Sequence, residues 1–345
     1  MSITVLKPGL LTTLQDRGRY GCAMLGVGRA GAMDDVTMRL ANALVGNGVD
    51  AAVLEITLIG PRLRFDEGAT IALTGADFPL RIDDVDTAMW QPIVIEPGAT
   101  LDFGVARHGS RAYLAVAGGF VVEPTLGSIS TDVNARLGGF DGRALREGDT
   151  LIVGSDASPD SHATTRAPDV RGTALARRTR NAHLKGSHQT WSLDPRPWFD
   201  ADFATPIRLI RGAHFDALSA ASQTALFNEE FCIDKDSNRV GFRLDGPTLI
   251  LAAPLELVSE PLVAGTLQLP PGGQPIALMV EHPTIGGYPR IGQIATVDLP
   301  RLAQRRPGDS VRFAEIDLDT AQTRYLEREH ELLRLIKAIG ERLTS

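Results

Sequence analysis

The sequence of 345 residues has few cysteines and lacks the short motifs of the commonest catalytic, metal-binding and nucleotide-binding sites. Its two cysteines, Cys22 and Cys232, lie in opposite halves, and its seven histidines show no His-x-x-x-His spacing. No metal site is therefore predicted. There is no G-x-x-x-x-G-K-[ST] segment and no G-x-S-x-G segment. Their absence excludes a P-loop and the nucleophile turn of the common serine hydrolases.

Long apolar runs and an excess of positive charge are also missing. No stretch approaches the ~18 apolar residues of a membrane span. The opening segment MSITVLKPGLLTTLQD contains no apolar region of signal-peptide length. The formal net charge of −7 argues against a polyanionic partner, because phosphate backbones are bound by basic surfaces. We therefore expect a cytoplasmic protein with reduced thiols that binds neither nucleic acid nor membrane.

The sequence does contain a repeated hexapeptide. DRGRYG (16–21) and DSNRVG (236–241) share Asp, Arg and Gly at matching positions. Further matches follow in the same order, which indicates a duplicated unit. In each copy we predict a tight turn with a structural Asp–Arg salt bridge. The residues expected to shape the two turns are Asp16, Arg19, Asn238 and Arg239.

Glycine (35 residues) and proline (21 residues) divide the chain into short runs rich in β-forming residues. Short strands at such spacing predict a mainly β fold, either a sandwich or a barrel. Amphipathic patterns predict three helices, over 34–46, 215–227 and 319–343. The runs taken as strands include TIALTG (70–75), FPLRI (78–82), RAYLAVAGG (111–119), PIRLIRG (206–212), PTLILAAP (247–254) and QPIALMVE (274–281).

Each half of the chain closes on a similar phrase, LREGDTLIV (145–153) and QRRPGDSVRF (304–313). The Gly-Asp pair in each phrase is typical of a turn before a final strand. Between the halves lies a polar segment rich in Pro and Ser, which we interpret as a surface connector. The predicted organisation is an N-terminal half (1–154), a connector (155–205), a C-terminal half (206–316) and a C-terminal helix (317–345).

GVGRAG (26–31) matches the glycine pattern of dinucleotide-binding turns and precedes a predicted helix. That fold requires further alternating strands and helices to build a parallel sheet. The 150 residues after position 60 contain almost no helical pattern. We therefore interpret these glycines as a tight turn.

EHPTIGGYPRIG (281–292) is the segment that most resembles a binding site. Adjacent glycines expose backbone N–H groups, and an arginine beside them makes a cradle for a carboxylate or phosphate. The alternative is an ordinary hairpin turn. The residues of this candidate substrate site are Thr284, Gly286, Gly287, Tyr288 and Arg290.

Several long phrases resemble one known family. They include PGLLTTLQDRGRYG near the start, LGGFDGRALREGD at the end of the first half, and SEPLVAGTLQLPPGGQPIALM and TIGGYPRIG in the second half. These phrases resemble the biotin-dependent carboxyltransferase family, also called allophanate hydrolase subunit 2, which includes the C subunit of 5-oxoprolinase. The likeness covers about residues 5–154 and 205–314. It implies two tandem cyclophilin-like β-barrel halves with a few helices, each half carrying one copy of the repeated turn.

The resemblance implies a component of an ATP-dependent 5-oxoprolinase-type amidohydrolase, which opens a lactam to glutamate. The implied partners are a homologue of subunit 1, also called the B subunit, and the A subunit, and ATP acts through the complex. In such a reaction ATP activates the amide by phosphorylating the carbonyl oxygen. One alternative is a carboxyltransferase that moves carboxylate from biotin to urea or a similar small amide. The other is a non-catalytic regulatory protein that antagonises a kinase inhibitor.

Under the leading interpretation the residues take distinct roles. The two glycines and Arg290 hold the anionic end of the substrate, and Thr284 and Tyr288 fix its orientation. Glu260 and Gln268 are the candidates for proton transfer and amide recognition. The sequence departs from the family pattern at three positions, where a polar residue is expected instead of Ala30, Ile129 and Ile285.

Overall fold

The computed structural model describes residues 1–154, 191–199 and 203–344. This described part of the chain divides into two compact units. The first unit contains residues 1–19, 35–154, 191–199 and 332–344, and the second contains residues 20–34 and 203–331. Neither unit is therefore continuous in sequence.

The first unit is built on two antiparallel sheets. Its elements are β1 (Ser2–Lys7), β2 (Leu11–Gln15), α1 (Asp35–Leu44), β3 (Val53–Thr57), β4 (Arg62–Phe65), β5 (Ala69–Asp77), β6 (Arg81–Ile82), β7 (Val85–Asp86), β8 (Ile93–Ile95), β9 (Thr100–Asp102), β10 (His108–Val116) and β11 (Thr150–Ile152). The strand order is β11-β1-β4-β9-β6-β7 in one sheet and β2-β3-β10-β5-β8 in the other. In β1 the buried Ile3 and Val5 alternate with less buried residues, as expected for a strand with one face in a core.

Apolar side chains from both sheets fill the core of the first unit. Leu63 and Leu101 come from one sheet, Leu54 and Leu114 come from the other, and all four are fully buried. A separate cluster forms on α1, where Leu40 and Leu44 pack with Leu332 and Ile339. The last two belong to α4 (Leu318–Thr344). The C-terminal helix thus buries one stripe against the first unit, as its amphipathic pattern predicts.

The second unit is built on an eight-stranded sheet and a two-stranded ribbon. Its elements are β12 (Ile207–Arg211), α2 (Ala220–Asn228), β13 (Phe231–Ile233), β14 (Gly241–Asp245), β15 (Glu260–Pro261), β16 (Thr266–Gln268), β17 (Ile276–Leu278), β18 (Ile285–Gly286), β19 (Arg290–Ile294), α3 (Leu299–Ala303), β20 (Ser310–Val311) and β21 (Phe313–Glu315). The large sheet has the order β20-β13-β14-β17-β16-β19-β12-β21, and β15 pairs with β18.

The two edges of the eight-stranded sheet are β20 and β21, which only Arg312 separates in the chain. The sheet therefore curls until its edges nearly meet and forms a nearly closed barrel. Its core contains Leu209, Leu244, Leu267 and Ile294, all fully buried. The predicted mainly β fold with a few helices is confirmed.

Two local predictions differ from the structure. The helix expected over 215–227 is a single 3₁₀ turn, Phe215–Ala217, followed by α2. The α-helix begins only after Ser219 because the hydroxyl of that residue accepts a hydrogen bond from the N–H of Ser222 and caps the first turn. The strand expected over 247–254 is absent from this described segment apart from one isolated bridge, at Leu251. Its apolar residues are typical of a strand, but its backbone bonds to turns, because Leu249 donates to the carbonyl of Gly273 and Ile250 accepts from the N–H of Ser219.

The predicted connector lies mainly outside the described residues. Its described part includes residues 191–199, which pack on the first unit, where Phe199 is 8% exposed. The backbone N–H of Leu193 also donates to the carbonyl of Trp90. The linear boundaries of the two predicted halves stay a prediction. The compact units add the observation that residues 20–34 group with the second one.

Candidate functional site

The seven residues predicted to bind or transform a substrate all lie in the second unit, on or beside four strands. Register pairs Gln268 of β16 with Arg290 of β19. Paired residues of antiparallel strands share one face of the sheet. The register shifts by one residue between this pair and the next, Leu267 and Gly292, so the pairing is irregular here, as at a β-bulge. The opposite face carries the buried core residue Leu267. The sheet therefore places an amide and a guanidinium side by side on its non-core face.

The ribbon of β15 and β18 brings further candidates to this face. Glu260 pairs with Gly286, and the N–H of Leu262 donates to the carbonyl of Thr284 at 3.0 Å. An ideal Cβ at Gly286 would lie 3.0 Å from Nε2 of Gln268, so the ribbon rests against the amide. Residues far apart in the sequence thus form one cluster.

Arg290 and Glu260 form an ion pair within this cluster, through Nη2 and Oε2. The side chain of Arg290 is 30% exposed and that of Glu260 is 47% exposed. The positive charge of the cradle is therefore compensated by a carboxylate of the same chain. Arg290 can still reach solvent, because neither partner is buried.

The carboxamide of Gln268 is the most unusual group of the cluster. The residue is 5% exposed, and Nε2 is buried without a hydrogen-bond partner. A buried polar group left in this state costs roughly 1–3 kcal/mol. Fixed polar groups of this kind are typical of sites that a ligand completes, because the ligand supplies the missing partner.

Gly287 and Tyr288 directly follow β18 in the chain. A Cβ on Gly287 would lie 3.5 Å from Oγ of Ser259, an ordinary contact, and the glycine does not have a left-handed backbone. Tyr288 is 48% exposed, so part of its side chain is accessible to a ligand. The structure thus gives Gly287 no steric or conformational requirement for glycine, unlike Gly286.

His214 belongs to the cluster and was not found from the sequence. Its Nδ1 accepts a hydrogen bond from the backbone N–H of Arg290 at 3.1 Å, and its own backbone N–H donates to the carbonyl of Arg290 at 3.0 Å. Because Nδ1 accepts, the proton of the neutral ring lies on Nε2. The two residues are 76 positions apart, and no local motif marks His214.

The residues predicted to shape the first turn lie in the first unit and bind the loop at 128–130. The carboxylate of Asp16 accepts hydrogen bonds from the hydroxyls of Ser128 and Ser130, at 2.6 and 2.5 Å, and from the N–H of Ile129 at 2.7 Å. Arg19 donates to the carbonyl of Ser130. The first copy of the hexapeptide therefore fixes a distant loop.

The second turn carries a buried ion pair. Arg239 donates from Nε to Glu281 at 2.5 Å, and the two side chains are 5% and 2% exposed. Its Nη2 donates to the carbonyl of Gly31 at 2.7 Å, which ties residues 20–34 to this unit. Asn238 acts locally, because its Oδ1 accepts from the N–H of Val240 at 2.8 Å.

His282, also missed from the sequence, follows this pair directly. Its Nδ1 lies 2.8 Å from the carbonyl of Pro283, which can only accept, so Nδ1 carries the proton. Burial, opposed in part by that hydrogen bond and reinforced by the charge of Arg29, lowers the pKa of the imidazole. The ring is therefore neutral at pH 7, with a lone pair on Nε2.

The three departures from the family pattern fall in different surroundings. Ala30 is buried in the second unit with a left-handed φ of 52°. Ile129 donates its backbone N–H to Asp16, and its side chain packs against the core of the first unit. Ile285 is 60% exposed on the ribbon. Only the last lies in a strand of the candidate cluster.

Neither a metal centre nor a membrane segment is visible in the described part of the chain. Residues 1–154, 191–199 and 203–344 contain no group of three or more His, Cys, Asp or Glu side chains that could hold a metal ion. No helix within those ranges is long and apolar enough to cross a bilayer.

Comparisons with known proteins identify the relatives of the whole chain. The C subunit of 5-oxoprolinase from Escherichia coli K12 is 34% identical over 334 residues, which cover 94% of this chain and 97% of that protein. The Haemophilus influenzae protein of the same name is 32% identical and is covered to 96%. Urea amidolyase of Saccharomyces cerevisiae is 28% identical over 93% of this chain, which spans 17% of that enzyme.

Solved structures point to the same group. The urea amidolyase of K. lactis aligns with a TM-score of 0.82 and 28% identity over 98% of this chain, which spans 20% of that protein. The protein TTHA0988 aligns with a TM-score of 0.71 and 32% identity, over 91% of this chain and 56% of its own. The family model described as carboxyltransferase domain, subdomain A and B, matches residues 25–315. The chain therefore belongs to this carboxyltransferase-domain family, and the resemblance predicted from the sequence is confirmed.

Proposed function

We propose that the chain is one component of an ATP-dependent 5-oxoprolinase-type amidohydrolase in the cytoplasm, which opens a lactam to glutamate together with the A and B subunits. The observation that carries this proposal is the likeness to the C subunits of two bacterial 5-oxoprolinases over nearly their whole length. The urea amidolyases are matched over 17% of their length. A match along the whole chain supports a common role more strongly than a match to one domain of a larger enzyme.

The chemistry of the cluster fits such a substrate. 5-Oxoproline is a cyclic amide that bears a carboxylate, and the paired positions of Gln268 and Arg290 offer an amide and a guanidinium side by side. We assign Arg290, Gly286 and Gly287 to the carboxylate, and Thr284 and Tyr288 to the orientation of the ring.

Gln268 would recognise the lactam amide, and Glu260 would move a proton during ring opening. Glu260 lies within reach of this chemistry because β15 pairs with the glycine strand β18. Both assignments stay proposals.

The nucleotide is assigned to the rest of the complex. A triphosphate requires uncompensated positive charge or a glycine-rich loop before a helix. In the cluster the guanidinium is paired with a carboxylate of the chain itself. The two glycines are followed by strand β19 and not by a helix, and one guanidinium is too little charge for a triphosphate, so we assign these residues no step that involves the nucleotide.

Reconstitution tests the proposal. The chain should co-purify with homologues of the A and B subunits, and the complex should release glutamate and phosphate when given 5-oxoproline and ATP. The chain alone should show no ATP hydrolysis. Turnover by the unaided chain, or a stable complex without 5-oxoproline turnover, would contradict this function. The second result would favour the regulatory alternative.

Carboxyl transfer from biotin is the second candidate, because the K. lactis urea amidolyase superposes with a TM-score of 0.82 over 98% of this chain. Transfer of labelled carboxylate from a carboxybiotinyl carrier to urea, catalysed by the purified chain, would establish it. If no labelled carboxylate is transferred, and the reconstituted complex opens 5-oxoproline, carboxyl transfer is excluded.

A further inference from the structure

The ion pair between Arg290 and Glu260 occupies the position at which an external carboxylate would bind. Within the described part of the chain, Glu260 is the one partner of the Arg290 guanidinium, through Nη2. The remaining N–H groups of the fork stay accessible to solvent, since the arginine side chain is 30% exposed. An arginine fork matches a carboxylate in shape and charge. The contact with Glu260 shows that Arg290 is oriented for such a group.

The position of Arg290 does not depend on Glu260. Its backbone exchanges two hydrogen bonds with His214, at 3.1 and 3.0 Å, and its strand lies inside the eight-stranded sheet. Glu260 instead belongs to a ribbon whose strands contain two residues each. Since exposed ion pairs are worth little net free energy, the carboxylate partner can exchange at low cost.

A second group of the same face lacks a partner. Gln268 is 5% exposed, its Nε2 makes no hydrogen bond, and it lies opposite Arg290 in the register. A small molecule that spans both positions needs a carboxylate at one end and an amide or carbonyl at the other. This combination distinguishes a carboxylated lactam from a simple lactam.

We propose that Glu260 is an internal stand-in for the ligand carboxylate, and that a carboxylate-bearing cyclic amide binds by displacing Glu260 from Arg290 while its amide contacts Gln268. The naming of a cyclic amide rests on the proposed function. The exchange of carboxylates rests on the ion pair alone. Glu260 would then act as a specificity determinant, because a ligand without a carboxylate gains nothing from the exchange.

Calorimetric titration of the purified full-length chain tests the exchange. The probes are 5-oxoproline, acetate and 2-pyrrolidinone, which is the same ring without the carboxylate. Glu260→Gln should tighten binding of 5-oxoproline and acetate by up to about fivefold, which corresponds to ~1 kcal/mol. Arg290→Ala should weaken binding of both by tenfold or more. Neither substitution should change the affinity for 2-pyrrolidinone.

The matched control is Glu256→Gln, which removes the same charge four positions earlier from an exposed side chain. It should leave all three affinities unchanged, so that a general electrostatic effect is separated from the loss of the competitor. Melting temperatures of all variants are measured beside the titrations, so that a loss of binding is not confused with a loss of folding.

The outcomes separate this inference from the proposed function. Weaker or unchanged carboxylate binding in Glu260→Gln would overturn the exchange, as would the absence of carboxylate binding in every variant. The variants could change acetate and 5-oxoproline binding as expected while the complex does not open 5-oxoproline. That result would support the exchange and reject the 5-oxoprolinase assignment.

Discussion

Replacing each of the two adjacent glycines by alanine tests the steric arrangement of the cluster. In Gly286→Ala the new Cβ would lie 2.7 Å from Cδ1 of Leu262 and 3.0 Å from Nε2 of Gln268. In Gly287→Ala it would lie 3.5 Å from Oγ of Ser259. Neither glycine has the left-handed φ that would strain an alanine. The two substitutions therefore differ only in the space around the added methyl group.

The expected magnitudes follow from packing. Leu262 is 6% exposed and has little room to move, so the methyl group at position 286 should cost about 1–3 kcal/mol. For a unit of roughly 150 residues, each kcal/mol lowers the melting temperature by about 2–4 °C. Gly286→Ala should therefore melt about 2–12 °C below the wild type. Gly287→Ala should match the wild type, or melt slightly higher because alanine restricts the unfolded chain.

Scanning calorimetry and denaturant midpoints provide the measurement, and a double-mutant cycle identifies the colliding group. Leu262→Val removes the Cδ1 methyl group, so the cost of Gly286→Ala should fall in that background. If the cost stays the same, Gln268 is the group that moves, and ligand binding should then be lost with it. Equal stability of Gly286→Ala and Gly287→Ala would refute the arrangement of ribbon and amide.

Three further substitutions test charges outside the cluster. Arg239→Met should cost about 3–5 kcal/mol in denaturant melts, because the buried carboxylate of Glu281 would lose its ion pair with Arg239; unchanged stability would contradict the buried pair. Burial opposes ionisation of Asp298, but hydrogen bonds from Arg208 outweigh it and hold its pKa below the ordinary value. Its stabilisation is therefore present above about pH 4 and lost as the pH falls through the folded pKa, so Asp298→Asn should destabilise at pH 7, and denaturant melts at lower pH should show that effect shrinking. The pKa of His282 is lowered by burial, so wild-type stability should decline as the pH falls below ~6.5, and His282→Gln should flatten that decline; an unchanged profile would contradict a neutral buried ring.

The segment of the candidate site was proposed from the sequence because the features that suggest it are local. Adjacent glycines followed by Arg290 predict a backbone cradle for an anion. The residues that surround this segment could not be placed from the sequence alone. Glu260 and Gln268 were proposed as neighbours along the chain, whereas their positions beside Arg290 depend on the ribbon and on strand register. His214 reaches the same residue from 76 positions away, and only the completed barrel brings it there.

In the fold, too, some features are determined by neighbouring residues and others by distant contacts. Helices α1 and α4 match their predicted spans because a helix forms from contacts three and four residues apart. The apolar run 247–254 has the composition of a strand, but its backbone bonds to turn residues instead, and pairing is decided by the whole sheet. The grouping of residues 20–34 with the second unit also depends on a distant contact, the hydrogen bond from Arg239 to the carbonyl of Gly31.

The two copies of the repeated hexapeptide anchor different partners in the two units. The arginine of each copy donates to a backbone carbonyl of a distant loop, at Ser130 for Arg19 and at Gly31 for Arg239. The second arginine is also paired with a buried carboxylate, Glu281, which begins the segment that carries the glycines and Arg290. Because a buried ion pair loses several kcal/mol when one partner moves away, it fixes the start of that segment firmly. The same turn thus anchors a loop in the first unit and the start of the candidate site segment in the second.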